Sequence, residues 1–349
     1  MMKRVGLVGV TGYTGMELTR ILLGHPGLRL TKVTSRKEAG QPLQKIYPFL
    51  QGTKLGDLEI SAPDCTVLAA ECDLVFLAVP HCTAMEMAAE LRGLGTRVVD
   101  LSADFRLRDH AVYESWYQVP HTQSALLAEA VYGLPELYAE RIAGAGLVAN
   151  PGCYPTSAIL ALYPALAAGL ISPEDLVVDS KSGTTGAGRK AGVGTLFCEV
   201  SDTFRAYNLT KHRHTPEIEQ ELGVAVGREI RLSFNTHLLP INRGILTTAY
   251  AKLSPGADLE QIRVCYQEFY AGKRWVRLLP QGTLPETRWV RGTNFCDLGL
   301  VTDPRTDRLI VVSAIDNLCR GASGQAVANA NLMLGLEEGA GLPFAPLMP

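Results

Sequence analysis

The chain has 349 residues, 47% of them hydrophobic and 19% charged, enough for two cores of ordinary domain size. Its formal net charge is −2 with Lys and Arg scattered, which excludes the basic footprint of a nucleic-acid binder. The longest apolar stretch, Ala158 to Ile171, is too short to span a bilayer and is broken by Pro164 and Gly169. The eight cysteines form no C-x-x-C pair and read as reduced thiols, so a cytoplasmic protein with a small-molecule partner is expected.

The first element is the apolar run Arg4 to Val10, read as a buried strand, followed by Thr11-Gly12-Tyr13-Thr14-Gly15 and apolar residues 18, 21 and 22 at helical spacing. Gly9, Gly12 and Gly15 give a G-x-x-G-x-x-G turn between strand and helix. Such a turn lets the backbone approach a pyrophosphate, whose charge sits on the helix N-terminus. Gly9, Thr11, Gly12, Tyr13, Thr14 and Gly15 are therefore candidate cofactor contacts. The next strand, Leu28 to Thr34, ends at Ser35-Arg36, where NAD-binding folds carry an acidic side chain for the ribose hydroxyls. A hydroxyl and a cation suit a 2′-phosphate instead, so NADP(H) is the expected cofactor; a solvated loop charge is the alternative for Arg36.

Strands at Asp73 to Val79 and Arg97 to Leu101 flank a helix at Ala84 to Leu91, the alternation of a doubly wound parallel sheet. Pro80 closes one strand at its carboxyl end, where ligands bind in such sheets, and Ser102 to Arg106 closes the next. Arg106 can hold a substrate phosphate or form a surface ion pair with Asp104 or Asp109.

Asn150-Pro151-Gly152 then separates the apolar segment Gly146 to Ala149 from a helix with Ile159, Leu162 and Leu166 on one face. Cys153 falls at that helix N-terminus, where unpaired N–H groups favour thiolate and can hold an oxyanion. It reads as a nucleophile or as a buried structural cysteine. A strand at Leu176 to Ser182 leads into the Gly-rich segment Gly183 to Lys190, which lacks the register of a phosphate-binding G-x-x-x-x-G-K loop and reads as a substrate or interface loop, with Ser182 and Arg189 as polar contacts. Next, Lys211-His212-Arg213-His214 precedes a helix for which Thr215 is the expected N-cap and Pro216 the first residue. His214 as acid or base oriented by Glu217, a metal site from His212, His214 and Glu217, and ordinary loop histidines are the three readings. The small-residue block Asp316 to Ala326 leads into a final helix reaching about Leu336, and the Gly/Pro-rich tail from Gly339 is weakly specified.

Taken together, the Gly9–Gly15 turn and the blocks Asp100–Arg106, Asn150–Thr156, Ser182–Arg189, His212–Glu219 and Asp316-Asn317 with Gly321–Gln325 resemble the N-acetyl-γ-glutamyl-phosphate reductase family over nearly the whole chain. Cys319 and the Gln325–Ala328 stretch are local variations on its pattern. The resemblance implies a Rossmann-type domain over residues 1–150, completed by 318–349, and an α+β catalytic and oligomerisation domain of the glyceraldehyde-phosphate dehydrogenase-like type over 151–317. It implies NADPH-dependent reduction of N-acetyl-L-glutamyl 5-phosphate to the semialdehyde, in arginine biosynthesis, by a homodimer or homotetramer, with no metal. Cys153 would be the nucleophile, His214 the acid/base and Glu217 its partner. Arg106, Ser182, Arg189, Tyr207 and Arg243 are candidates for substrate phosphate or carboxylate, and Ser182, Gly183 and Asn317 for further cofactor contacts. Reduction of aspartyl or carrier-bound aminoadipyl phosphate, or an NADPH-sensing regulator without catalysis, are the competing readings; the Pro151-Gly-Cys-Tyr-Pro155 block favours the arginine branch.

Overall fold

The computed structural model describes residues 2–348, which divide into two compact units. The first unit runs to Pro151 and resumes over Ala322–Pro343; the second comprises Gly152–Gly321 and the chain from Phe344.

The first unit is built on a seven-stranded sheet. Its strands are β1 (Lys3–Val8), β2 (Leu28–Thr34), β3 (Ile60–Ser61), β4 (Leu74–Leu77), β5 (Arg97–Asp100), β6 (Val131–Tyr132) and β7 (Leu147–Ala149). All pairs are parallel, in the order β3-β2-β1-β4-β5-β7-β6. β4 reads Leu-Val-Phe-Leu with every residue buried, because helices cover both faces of a parallel sheet and leave no polar side. The strand order reverses between β1 and β4, and the carboxyl ends there form the crevice where such sheets take ligands. Helices Cys65–Glu71 and His110–Tyr117 start at Asp64 and Asp109, whose carboxylates accept the Val67 and Ala111 N–H groups.

After Ala322 the chain returns to this unit as the helix Gly324–Met333, preceded by a π-helical turn, Cys319–Ser323. Gln325 and Asn329 both donate to the Gly133 carbonyl at 2.9 Å, fixing the helix beside the helix Pro135–Ala143. The tail expected to be weakly specified is pinned. Asn331 donates to the carbonyls of Glu338 and Ala340, and Gly341 packs so closely on His25 that a Cβ would lie 2.1 Å from the imidazole. Polar side chains inside a helix, silent in a hydrophobicity pattern, supply these anchors.

The second unit holds a mixed sheet of β8 (Leu176–Gly183), β9 (Arg205–Tyr207), β10 (Leu232–Leu239), β11 (Ile245–Lys252), β12 (Val276–Leu278), β13 (Cys296–Asp303) and β14 (Arg308–Ile315), in the order β12-β13-β14-β11-β8-β10-β9. β8, β11 and β14 alternate buried and half-buried residues, since one face is covered. The cover is the helix Cys153–Ala167, nearly all of it buried. Four fully buried hydroxyls fix its register: Ser157 bonds Thr247 at 2.9 Å and also Ser313, and Ser180 bonds Thr247 at 2.8 Å. Pro164 has no N–H for the Leu160 carbonyl, and the Tyr270 hydroxyl donates to that oxygen at 2.6 Å. Tyr266 does the same for Ala161. The last residues also return here, with Phe344 stacked on Trp275 at 5.0 Å and the Leu347 carbonyl held by Arg291.

Candidate active site

In the first unit, the turn after β1 has the geometry its glycines allow. Gly9 has φ +87°, and a Cβ there would lie 2.3 Å from the Ala78 carbonyl oxygen; at Gly15 it would lie 2.5 Å from that of Val10. Side chains at either position would push the turn off the sheet. Gly12 caps the helix Tyr13–Leu23, placing the N–H groups of Tyr13 and Thr14 in its first turn, where a helix offers no acceptor. Thr11 sits between the capping glycine and the strand. The turn is braced by the Tyr47 hydroxyl on the Val10 carbonyl (2.9 Å) and by Ser323 on the Thr14 carbonyl (2.9 Å), two supports that lie too far along the chain to be read from local pattern.

Ser35 and Arg36 follow β2 directly, Ser35 buried and Arg36 exposed. Arg36 lines a cavity of about 720 Å³ together with Cys65, Cys82, Thr83 and Glu86. Pro80 lies just beyond the carboxyl end of β4, where its carbonyl accepts the Thr83 hydroxyl.

Arg106 is buried rather than a surface ion-pair member. Its guanidinium donates to the carbonyls of Asn150 (2.8 Å) and Leu101 (3.0 Å). Asp104 accepts the N–H groups of Cys82 and Ala84 and the Tyr113 hydroxyl, and Asp109 caps its helix. Nearby, burial and the neighbouring Asp104 push Asp100 up to about 7, while Ser102 donates to its carboxylate at 2.7 Å. Asn150 is held at its side chain as well, donating to the Ala322 carbonyl and accepting from Asn329.

In the second unit, Cys153 is the first residue of its helix, half-buried, with Gly152 at the N-cap in extended conformation. Glu217 reaches this turn: its Oε1 accepts the Gly152 N–H at 2.8 Å. The carboxylate expected to orient His214 thus grips the residue preceding the thiol. Gly321 meets Cys153 from the other end of the unit's sequence. A Cβ at 321 would lie 2.6 Å from the Cβ of Cys153, so only glycine permits the approach. The turn that presents Gly321 is organised by Asp316, fully buried, which accepts the N–H groups of Leu318, Cys319 and Gly292 and pairs with Arg243 at 3.0 Å. Arg243, a substrate candidate, therefore carries a carboxylate partner.

Tyr207 lies close by, its hydroxyl 2.8 Å from that of Tyr154. Burial holds both phenols above their ordinary range, Tyr207 at about 12, so both are neutral, and Ser182 also bonds Tyr154. The edges of His212 and His214 meet the Tyr154 ring at 5.3 and 6.0 Å. His212 is lowered to about 4 by burial and then by Arg213, and its Nδ1 accepts the His214 N–H at 3.1 Å. A neutral imidazole thereby fixes the backbone of the second histidine.

The helix after them is Thr215–Val226 with His214 itself at the N-cap position, not Thr215. The Thr215 hydroxyl turns back to the His212 carbonyl at 2.8 Å, a local bond that competes with capping. Among the described residues no group of three or more His, Cys, Asp or Glu is placed to hold a metal ion, so His212, His214 and Glu217 do not form the cluster that the metal reading needs.

Gly183 donates to the Gly244 carbonyl, and a Cβ on it would collide with the Asn242–Arg243 backbone. Asn317 ties the same two loops, accepting from Gly244 N–H and donating to Thr185. Arg189 lies beyond this junction on an exposed stretch. The second unit thus gathers Cys153, Glu217, Tyr207, the two histidines, Ser182, Arg243 and Asn317, whereas the glycine turn, Ser35, Arg36, Pro80 and Arg106 belong to the first. Sequence reasoning missed Asp316 as organiser, Gly321 as the neighbour of the thiol and Tyr154 as the ring between them; of these, only the Asp316–Gln325 block left a visible signal.

Residues 4–145 match a family model described as the NAD binding domain of semialdehyde dehydrogenase, and residues 153–317 one described as its dimerisation domain. Similar over the full length of both chains, at 51% identity, are the N-acetyl-gamma-glutamyl-phosphate reductases of Desulfotalea psychrophila and Desulforudis audaxviator. Among solved structures, aspartate semialdehyde dehydrogenase II from Vibrio cholerae superposes with a TM-score of 0.72 at 15% identity, covering 96% of this chain and 99% of that one. The enzyme from Candida albicans, solved with NADP, gives 0.72 at 17% with the same coverage. These two likenesses speak for the fold.

Proposed function

Since the chain belongs to the N-acetyl-gamma-glutamyl-phosphate reductase family, we propose that it reduces N-acetyl-L-glutamyl 5-phosphate to N-acetyl-L-glutamate 5-semialdehyde with release of phosphate, using NADP(H), in arginine biosynthesis. The observation that carries this reading is the setting of Cys153: a thiol at the start of a helix, its preceding N–H held by Glu217 and its flank against a glycine.

The first unit fits the dinucleotide. The side-chain-free approach at Gly9 and Gly15 and the free helix start at Tyr13 and Thr14 suit a pyrophosphate, while Ser35 and Arg36 suit a 2′-phosphate. When bound, the cofactor supplies a hydride to the acyl carbon. Cys153 supplies the electron pair that forms the C–S bond as the C–O bond to phosphate breaks, leaving a thioester. Its developing oxyanion is met by N–H groups of the helix start. After reduction the C–S bond breaks, the carbonyl re-forms and the thiolate is restored. His214 carries the proton, its backbone fixed by a neutral His212, and the Tyr154 and Tyr207 hydroxyls, bonded to each other, stay protonated throughout. Arg106, Arg189, Arg243 and Ser182 are the polar groups assigned to the substrate's phosphate and carboxylate, Arg243 with its charge oriented by Asp316.

The protein works as a homo-oligomer, in keeping with the dimerisation-domain match, and resides in the cytoplasm, where its eight cysteines, none of them in a disulfide, stay reduced. Among the described residues no helix is long and apolar enough to cross a membrane.

The test is the reverse reaction, phosphate-dependent NADP reduction, with N-acetylglutamate semialdehyde set against aspartate semialdehyde. Turnover with the first and not the second is expected. Preference for aspartate semialdehyde would reassign the substrate, and turnover with neither would reject the reading. Cys153→Ser should lose turnover by several orders of magnitude with NADPH affinity intact, and quenched turnover should yield an acylated Cys153 peptide.

A further inference from the structure

Asp104 has no part in the chemistry proposed above, yet the fold surrounds its carboxylate with donors. The side chain is fully buried and accepts the Cys82 N–H at 2.7 Å, the Ala84 N–H at 2.9 Å and the Tyr113 hydroxyl at 2.9 Å. A charge taken out of water is tolerated when its oxygens are bonded in this way.

Two of the donors belong to the turn between β4 and the helix Met85–Gly93. Ala84 occupies the N-cap position of that helix and has no side-chain acceptor to offer, so Asp104, 20 residues on, supplies one from the next loop. At its other grip the turn holds Cys82 at φ +67°, a left-handed conformation that is costly for a residue with a Cβ. Such strain persists where the surroundings over-determine it. Asp104 is itself fixed at both backbone groups, its N–H donating to the Ser102 hydroxyl at 3.1 Å and its carbonyl meeting the His121 Nε2 at 2.7 Å.

The turn is also a wall. Cys82, Thr83, Met85 and Glu86 line the cavity of about 720 Å³ that Arg36 shares, and Pro80 begins the same turn. Capping the helix would need only the Ala84 N–H. The shorter bond goes instead to Cys82, ahead of the helix, where it holds the strained residue against the cavity.

We propose that Asp104 is a positioning residue for the dinucleotide: by gripping Cys82 and Ala84 it keeps the turn after β4 in the shape that walls the cavity beside Arg36, preorganised for the 2′-phosphate end of NADP(H). The proposal rests on the assignment of NADP(H) to the first unit and adds to it a residue that touches no cofactor.

Fluorescence titration with NADPH, steady-state kinetics and thermal unfolding test this on the full chain with Asp104→Asn, Tyr113→Phe and the double variant Asp104→Asn with Cys82→Gly. Asp104→Asn turns one acceptor into a donor facing an N–H, and should raise Kd and KM for NADPH by about 10-fold or more while kcat at saturation stays within about 2-fold. Tyr113→Phe removes one donor and leaves both grips, for a rise of about 2- to 3-fold. Cys82→Gly adopts the left-handed turn freely, so the double variant should regain part of the lost affinity as more of the turn holds its binding shape. A lower unfolding midpoint in Asp104→Asn with wild-type Kd and KM for NADPH would make the role purely structural and overturn the proposal alone. A double variant that regains nothing would also overturn it, because the turn's conformation would then not matter. Should Asp104→Asn fail to fold, an unchanged Kd in Tyr113→Phe has the same force. A wild type without measurable NADPH affinity would overturn the cofactor assignment together with this proposal.

Discussion

The carboxylate of Glu217 accepts the backbone N–H of Gly152 at 2.8 Å, so an acidic side chain 65 residues downstream fixes the turn that delivers the Cys153 thiol. The contact separates two roles for Glu217, as a charge and as an acceptor. Glu217→Ala leaves a buried N–H unsatisfied, at about 1–3 kcal/mol, and should lower kcat by roughly 10- to 100-fold. Glu217→Gln keeps an acceptor oxygen and should recover most of that loss. Steady-state kcat, together with the alkylation rate of Cys153, reads the difference. Equal damage from both variants would make charge the operative property.

The flank of the thiol is equally exacting. Gly321→Ala puts a methyl where only 2.6 Å separates it from the Cys153 Cβ. Overpacking of this kind costs about 1–3 kcal/mol. A lower unfolding midpoint and a reduced kcat with unchanged NADPH affinity are expected. A variant with wild-type turnover would mean that the turn from Asp316 gives way freely.

Cofactor choice is tested at the end of β2. Ser35→Ala with Arg36→Ala removes the hydroxyl and the cation assigned to the 2′-phosphate, charge-assisted contacts worth about 1.5–3 kcal/mol each. Fluorescence titration should show NADPH affinity falling by at least about 10-fold and NADH affinity hardly changing. Equal losses would reject the 2′-phosphate assignment.

His212 gives the second unit an acid-sensitive element. Its value in the fold, about 4, lies below the 6.5 of the unfolded chain. Above pH 6.5 neither state binds the proton; below it the unfolded chain does and the native imidazole does not. Stability should therefore be lost as pH falls from 6.5 towards 4, by a total on the order of 3 kcal/mol. Urea unfolding near neutral pH and near pH 4.5 measures the loss, and His212→Asn should flatten that limb of the profile relative to wild type. A variant with the wild-type slope would assign the acid sensitivity elsewhere.

What could be read from the sequence was local. The strand–glycine turn–helix at Val8 to Leu18, the β2 strand with Ser35 and Arg36 at its end, and Cys153 at a helix start all follow from spacing within a dozen residues, and each stands in the structure. What failed depended on distance or competition. Thr215 lost its cap position because its hydroxyl found the His212 carbonyl, and the surface-ion-pair alternative for Arg106 gave way because its buried guanidinium reaches the carbonyls of Leu101 and Asn150. The Ser157, Ser180, Thr247 and Ser313 hydroxyls read singly as weak helix or strand residues, and only the assembled sheet makes them a buried network.

Pro164 has a bearing on the order in which the chain can mature. The rung it removes is replaced by Tyr270, 110 residues after the Leu160 carbonyl it serves, so that carbonyl lacks its protein partner until translation has passed residue 270. The strands its helix rests on are also late, the last of them ending at Ile315. A nascent polypeptide released before that point would carry a nearly all-apolar helix with no floor beneath it, and chaperone capture during synthesis is expected to concentrate on that stretch.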